Sequence, residues 1–276
     1  MICRIGETVV AGRAVCINKN VDPERMEAAV RHGVDGTAKP TIEIKAADPG
    51  SLYQHIGCIR PELSLQTRTA LAVAARSRGW STDVDDDLAS IQKQIAELSE
   101  VTVPNTATAR AEVAERSDAV ERLRERVAAE RGRAAAGDEA ADIEGAVREL
   151  SEAETALAAA RERLRATREE ARTARNRLRE HLQLRDRAKN LERSARRELV
   201  ERARPEYLDA LNAVPGINNI DDPFDMPTDA MALAIARVGS VSAPIVLRSH
   251  RFADATTAAD WLAAPVIQLK HEAGAD

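Results

Sequence analysis

Apolar residues between positions 83 and 205 recur at three- and four-residue steps, the period of one face of an α-helix. Leu88, Ile91, Ile95 and Leu98 open the pattern, behind an acidic first turn of Asp83, Asp85, Asp86 and Asp87 that suits the free N–H groups of a helix start. Pro104 and Asn105 interrupt it, because a proline ring clashes with the preceding helical turn. Val113, Val120, Leu123 and Val127 resume it as far as a glycine-bearing stretch holding Gly132, Gly137 and Gly145. From Val147 a second arm places Leu150, Leu157, Leu164, Ala171 and Leu178 seven residues apart. The phase slips by one near Leu184, and Leu184, Ala188, Leu191, Ala195 and Leu199 carry it to about Arg204–Pro205.

A heptad repeat held this long predicts a left-handed coiled coil. Two arrangements satisfy it: an intramolecular antiparallel hairpin turning near residue 138, or a parallel homodimer of a bent helix. Charge favours the hairpin. Segment 83–100 has six acids against Lys93, whereas segment 161–197 has 13 arginines and Lys189 against six acids. Folding back near residue 138 brings the acidic base of one arm against the basic base of the other. Exposed ion pairs contribute only about 0.2–1 kcal/mol each, so they select orientation while the Leu and Ala seam stabilises.

Both ends of the chain mix strand and helix patterns. TVV at 8–10 and AVCI at 14–17 flank AGR and predict a hairpin. VDPERMEAAVRHG predicts a helix with Asp22 as N-cap, Pro23 at its first position and Gly33 as its stop. TIEIK at 41–45 alternates as a strand does. Residues 62–79 predict a helix whose Leu65, Thr69, Ala72, Val73 and Arg76 share a mostly apolar face, ended by Gly79. Further on, YLDALNAVPG continues or follows the long helix; TDAMALAIARVG is a helix with Thr228 as N-cap. APIVL at 243–247 is a buried strand, ATTAADWLAAP a helix, and VIQL at 266–269 a last strand.

These elements predict one α/β composite head formed by both chain ends, with a long antiparallel coiled-coil hairpin inserted and a mostly helical chain overall. Its parts are an N-terminal half of the head at 1–80, the hairpin at 81–205 with its tip near 132–145, a C-terminal half at 206–270 and a tail at 271–276. Either half alone, at about 65–80 residues, has a marginal core; together they reach an ordinary domain size. Composition agrees: the six aromatics are Tyr53, Trp80, Tyr207, Phe224, Phe252 and Trp261, none of them between 81 and 206.

The chain has 276 residues and a formal net charge of -5. It lacks a run of about 18 apolar residues, which excludes a membrane-spanning helix, and shows no secretion signal at its start. Cys3, Cys16 and Cys58 include no CxxC pair, which argues against a disulfide framework or a thiolate zinc site. The expectation is a cytoplasmic protein with no cofactor and no metal.

The stretches GCIRPELSLQTRTALAVAARSRG (57–79), DDDLASIQKQIAEL (85–98), SAPIVLRSHRF (242–252) and WLAAPVIQL (261–269) resemble an uncharacterised coiled-coil family of halophilic archaea. That resemblance covers essentially the whole chain; it implies cytoplasmic residence in high potassium salt and no particular activity. The layout, with chain ends flanking a coiled coil, also resembles SMC/Rad50-type ATPases. There, a strand like PIVLRSH at 244–250 ends in a histidine near the nucleotide. The chain departs from that group in having no GxxxxGK[ST] phosphate cradle and no apolar strand ending in Asp-Glu, so the resemblance implies a degenerate head.

Among candidate sites, Arg161, Arg165, Arg168, Arg172, Arg175 and Arg179 follow one another at steps of four and three and share one helical side. Such like charges repel, so either acids on the opposing arm (Glu97, Glu100, Glu112, Glu115) compensate them or nucleic-acid phosphate does. In the head, Arg248, His250 and Arg251 follow a strand and form a candidate anion-binding rim, while His55 is a further candidate. Three readings of function stand. The first is a non-enzymatic coiled-coil scaffold or interaction protein, a monomeric hairpin with an unidentified protein partner. The second is a nucleic-acid-associated accessory factor in DNA repair or chromosome organisation. The third is a hydrolase with a site near His55 and His250.

Overall fold

The computed structural model describes residues 1–18, 21–35, 40–98 and 102–270. Glu100 and the tail at 271–276 lie outside the described residues. The chain divides into two compact units, Met1–Asp87 with Asn190–Asp276, and Leu88–Lys189.

In the first unit, β1 (Ile2–Ile5) pairs antiparallel with β2 (Thr8–Ala11) and with β4 (Ile42–Lys45), in the order β2-β1-β4. A second sheet, order β3-β7-β6-β5, is parallel throughout: β3 (Ala14–Ile17), β7 (Val266–Leu269), β6 (Ile245–Leu247) and β5 (Cys58–Ile59). Two of its strands come from each chain end, and the β3–β7 and β5–β6 ladders join them. The expected TVV–AVCI hairpin is therefore corrected. TVVA turns back onto ICRI through Gly6, whose φ of 59° suits glycine, and AVCI leaves to pair with VIQL some 250 residues on.

Alternation along the parallel strands makes two cores. Val15, Ile17, Cys58, Val246, Ile267 and Leu269 pack with α1 (Pro23–His32) and the first sheet. Ile59, Ile245, Leu247 and Val266 turn the other way, onto α3 (Thr67–Ser77), α7 (Thr228–Val238) and α8 (Ala255–Leu262). The start of α1 follows its sequence signature: the Asp22 carboxylate accepts from the Glu24 N–H at 2.9 Å, Pro23 opens the helix and Gly33 closes it at φ 79°. Elsewhere the local signals mislead. Residues 62–66 stay outside α3, whose buried positions are Ala70, Leu71, Ala72, Ala74 and Ala75; of the expected face Ala72 is buried, while Leu65 and Val73 pack against the same core only partly buried. Thr228 is the first residue of α7, not its cap; the neighbouring Asp229 carboxylate instead accepts from the Ala230 N–H.

The long helix α6 (Ile143–Asn212) passes through Pro205 without ending. Proline removes one backbone hydrogen bond and crowds the carbonyl four residues back. Burial of Ala203, Tyr207, Ala210 and Leu211 around that turn offsets the loss, with the Tyr207 hydroxyl donating to the Pro223 carbonyl at 2.7 Å and its ring stacked on Phe224. The polar tips of two other aromatics are answered in the same way: the Tyr53 hydroxyl donates to Pro244 O and Trp261 Nε1 donates to Ala213 O.

The second unit contains α5 (Ala107–Ala135), most of α4 (Asp85–Glu97) and the first part of α6. Val120 and Val127 on α5 and Leu157, Ala160, Leu164, Ala171 and Ala174 on α6 are buried at heptad spacing. Three ion pairs join the two helices: Arg126 with Glu149 at 2.5 Å, Arg124 with Glu154 at 2.7 Å and Arg163 with Glu112 at 2.9 Å. Between the helices, Asp142 accepts from the Gly145 N–H at 2.8 Å, so Gly145 lies in the first turn of α6 rather than in the connection.

Candidate functional site

Arg251 and Asp229 form a largely buried ion pair in the first unit, with side chains 17% and 9% exposed. Arg251 Nε donates to Asp229 Oδ2 at 2.7 Å and Arg251 Nη2 to Oδ1 at 3.0 Å, while Nη1 donates to the Pro215 carbonyl. The Ser249 hydroxyl also donates to Asp229 at 2.9 Å. Burial raises the Asp229 carboxyl, but the guanidinium, the Ser249 hydroxyl and the Ala230 N–H outweigh it and hold the group below its ordinary pKa. All three guanidinium nitrogens thus donate to acceptors of the protein itself. Arg251 serves the fold; it does not join Arg248 and His250 in a solvent-facing rim.

Arg248 and His250 remain exposed just past the C-terminal end of β6, and Lys270 is exposed just past β7 beside it. They line a cleft of about 200 Å³ together with Ser249, Phe252 and Gln268. Open parallel sheets place ligands at this end of their strands. His55 lies elsewhere. Its short helix α2 (Tyr53–Ile56) precedes β5, and the Tyr53 hydroxyl ties α2 to Pro244, ahead of β6. Since Cys58 pairs with Val246 and Ile59 with Leu247 in parallel, His55 and His250 stand at opposite ends of the same two strands. The structure does not bring them together. Burial keeps the His55 imidazole below its ordinary pKa, and burial followed by Glu27 pushes the Cys58 thiol up to about 12. Burial thus favours the protonated thiol, which is the less nucleophilic form. Among the described residues no group of three or more His, Cys, Asp or Glu is placed to hold a metal ion.

In the second unit, the six arginines Arg161, Arg165, Arg168, Arg172, Arg175 and Arg179 are all exposed on α6. Two of the four acids expected to compensate them pair elsewhere. Glu112 pairs with Arg163 and with Arg116, and Glu97 pairs with Lys93. Within the series, Arg165 pairs with Glu162 on its own helix at 3.9 Å and Arg179 donates to Asn176. Among the described residues no ion pair engages Arg161, Arg168, Arg172 or Arg175.

Sequence reasoning passed over three residues at these sites. Asp229 lies inside an apolar helix and Gln268 inside an apolar strand, and a polar residue in such a run is the signal that marks both. Lys270 carries no such mark; only the β6–β7 pairing places it beside Arg248. Among the described residues no helix is long and apolar enough to cross a membrane. A family model described as "Family of unknown function (DUF7856)" matches residues 12–266. No curated protein matches this chain, and no solved structure matches it.

Proposed function

We propose, for a chain that belongs to this family of unknown function, a non-enzymatic role as an interaction protein whose arginine series on α6 holds an extended polyanion, the phosphate backbone of nucleic acid. The observation that carries the reading is the exposed series itself. Six like charges at three- and four-residue steps are mildly repulsive, and no acid of α5 answers them among the described residues. A row of phosphates supplies the missing counter-charges at low cost in geometry. The arm has no aromatic side chain on which bases would stack, so the contact reads backbone and not sequence.

In this reading α5 and α6 of the second unit form an antiparallel coiled-coil hairpin. The order of the ion pairs supports it. As α5 is followed forward, the partners on α6 step backward: Glu112 pairs with Arg163, Arg124 with Glu154 and Arg126 with Glu149. The two chain ends act as one α/β head, supported by the β3–β7 and β5–β6 ladders. With exposed Cys16 changed to Ser, Arg124→Cys plus Glu154→Cys should give a crosslink within one chain when treated with a short bismaleimide. Exclusively intermolecular products would favour a parallel dimer. The functional reading is tested by binding of a fluorescent duplex at low salt. Retention that weakens as potassium chloride rises supports it, and no retention at 50 mM overturns it. A halophilic setting, which the sequence resemblance implies, calls for that titration to continue to molar salt.

A further inference from the structure

We infer that the cleft beyond β6 and β7 is a binding site for a small phosphate monoester carrying a free hydroxyl, a polyol phosphate. Two independent features point there. First, the cleft gathers Arg248, Lys270 and His250 around one opening, and among the described residues no carboxylate lines it. These side chains come from adjacent parallel strands, so the sheet itself fixes their spacing, and a dianion is the ligand that answers two permanent cations. Asp254, at the N-cap of α8, is close enough for Lys270 to act on its carboxyl, but it does not line the cleft, and the Thr257 N–H and hydroxyl hold it in place.

Second, Gln268 is 5% exposed and lines the same cleft. Its Nε2 donates to the Phe252 carbonyl at 3.2 Å. A carbonyl only accepts, so this bond fixes which way the amide points. Its Oε1 is left buried with no hydrogen-bond partner. A buried acceptor without a donor costs free energy that a ligand donor would recover. Phosphate oxygens cannot donate to it; a hydroxyl on the same ligand can. Cations at the mouth and an unanswered acceptor on a lining residue therefore point to the two ends of the ligand, its hydroxyl meeting Oε1 once the Gln268 side chain shifts to uncover it. At about 200 Å³ the space is below the 300–1,000 Å³ usual for drug-sized compounds, which limits the carbon skeleton to a few atoms.

The site lies in the first unit and is independent of the arginine series, so it stands or falls apart from nucleic-acid binding. The test is calorimetric titration of the full chain with glycerol 3-phosphate and, separately, ethyl phosphate, which has the charge without the hydroxyl. We expect glycerol 3-phosphate to bind about tenfold more tightly, one hydrogen bond's worth. Arg248→Gln and Lys270→Gln, both at exposed positions, should each weaken both ligands about tenfold and leave the thermal melt in place. Gln268→Leu should abolish the preference for glycerol 3-phosphate; should that variant not fold, the preference in the parent chain still decides. Equal affinity for the two phosphates, no binding of either at millimolar concentration, or binding untouched by Arg248→Gln and Lys270→Gln would each overturn the assignment.

Discussion

Asp229→Ala should destabilise the first unit by about 3–5 kcal/mol, the usual cost of removing one partner from a buried ion pair. The Arg251 guanidinium would then keep only the Pro215 carbonyl, and the Ser249 hydroxyl would lose its acceptor. Arg251→Met in the same chain should restore much of the loss, since it removes the stranded charge while keeping an apolar stem. Urea unfolding at neutral pH measures both. The pH dependence has a definite sign. The folded state holds the Asp229 carboxyl below its ordinary pKa, so the pair's stabilisation is present above about pH 4 and is lost as pH falls through the folded-state value. The difference between parent and Asp229→Ala should accordingly narrow in acid. Asp85 makes parent and variant alike lose stability in acid: Arg76 and the Thr82 N–H and hydroxyl hold its carboxyl well below the usual carboxylate range.

Replacing Arg165, Arg168 and Arg172 together by Gln should weaken duplex binding about tenfold or more at 0.1 M salt. It should also flatten the salt dependence by roughly three in slope, about 0.9 for each phosphate no longer engaged. Stability should hold within about 0.5 kcal/mol, because all three side chains are exposed and only Arg165 has an ion pair, with Glu162 on its own helix. Unchanged far-UV circular dichroism together with weakened binding assigns the effect to the missing guanidinium groups and not to folding. Full binding by the triple variant would move the interaction off this face.

Local chemistry was legible in the sequence wherever it decides structure alone. Asp22, Pro23 and Gly33 mark both ends of α1 because a cap, a fixed φ and a left-handed stop act within a few residues. The seven-residue spacing of Leu157, Leu164 and Ala171 reads as a buried seam because a helix repeats on that scale. What pairing over long distances decides was not legible. TVV and AVCI flank a glycine turn and read as a hairpin, but AVCI finds a parallel partner in VIQL, and no local signal records that choice. The most buried positions of α3 are likewise set by α7 packing against it, so Leu71 and Ala74 are fully buried while Leu65 and Val73, which pattern alone favoured, are only partly buried against the same core. Arg251 looked like an anion ligand because its partner Asp229 lies on another element, 22 residues upstream. Gln268 was visible as a polar residue in an apolar strand, yet only the fold shows that its second polar atom lacks a donor.

The arginine series is the centre of the functional account, and the salt dependence of duplex binding by the parent chain tests it most directly. Six phosphate contacts predict that the logarithm of the association constant falls linearly with the logarithm of potassium chloride concentration, with a slope of about -5. A slope near zero, or no measurable binding at 50 mM, would contradict the account.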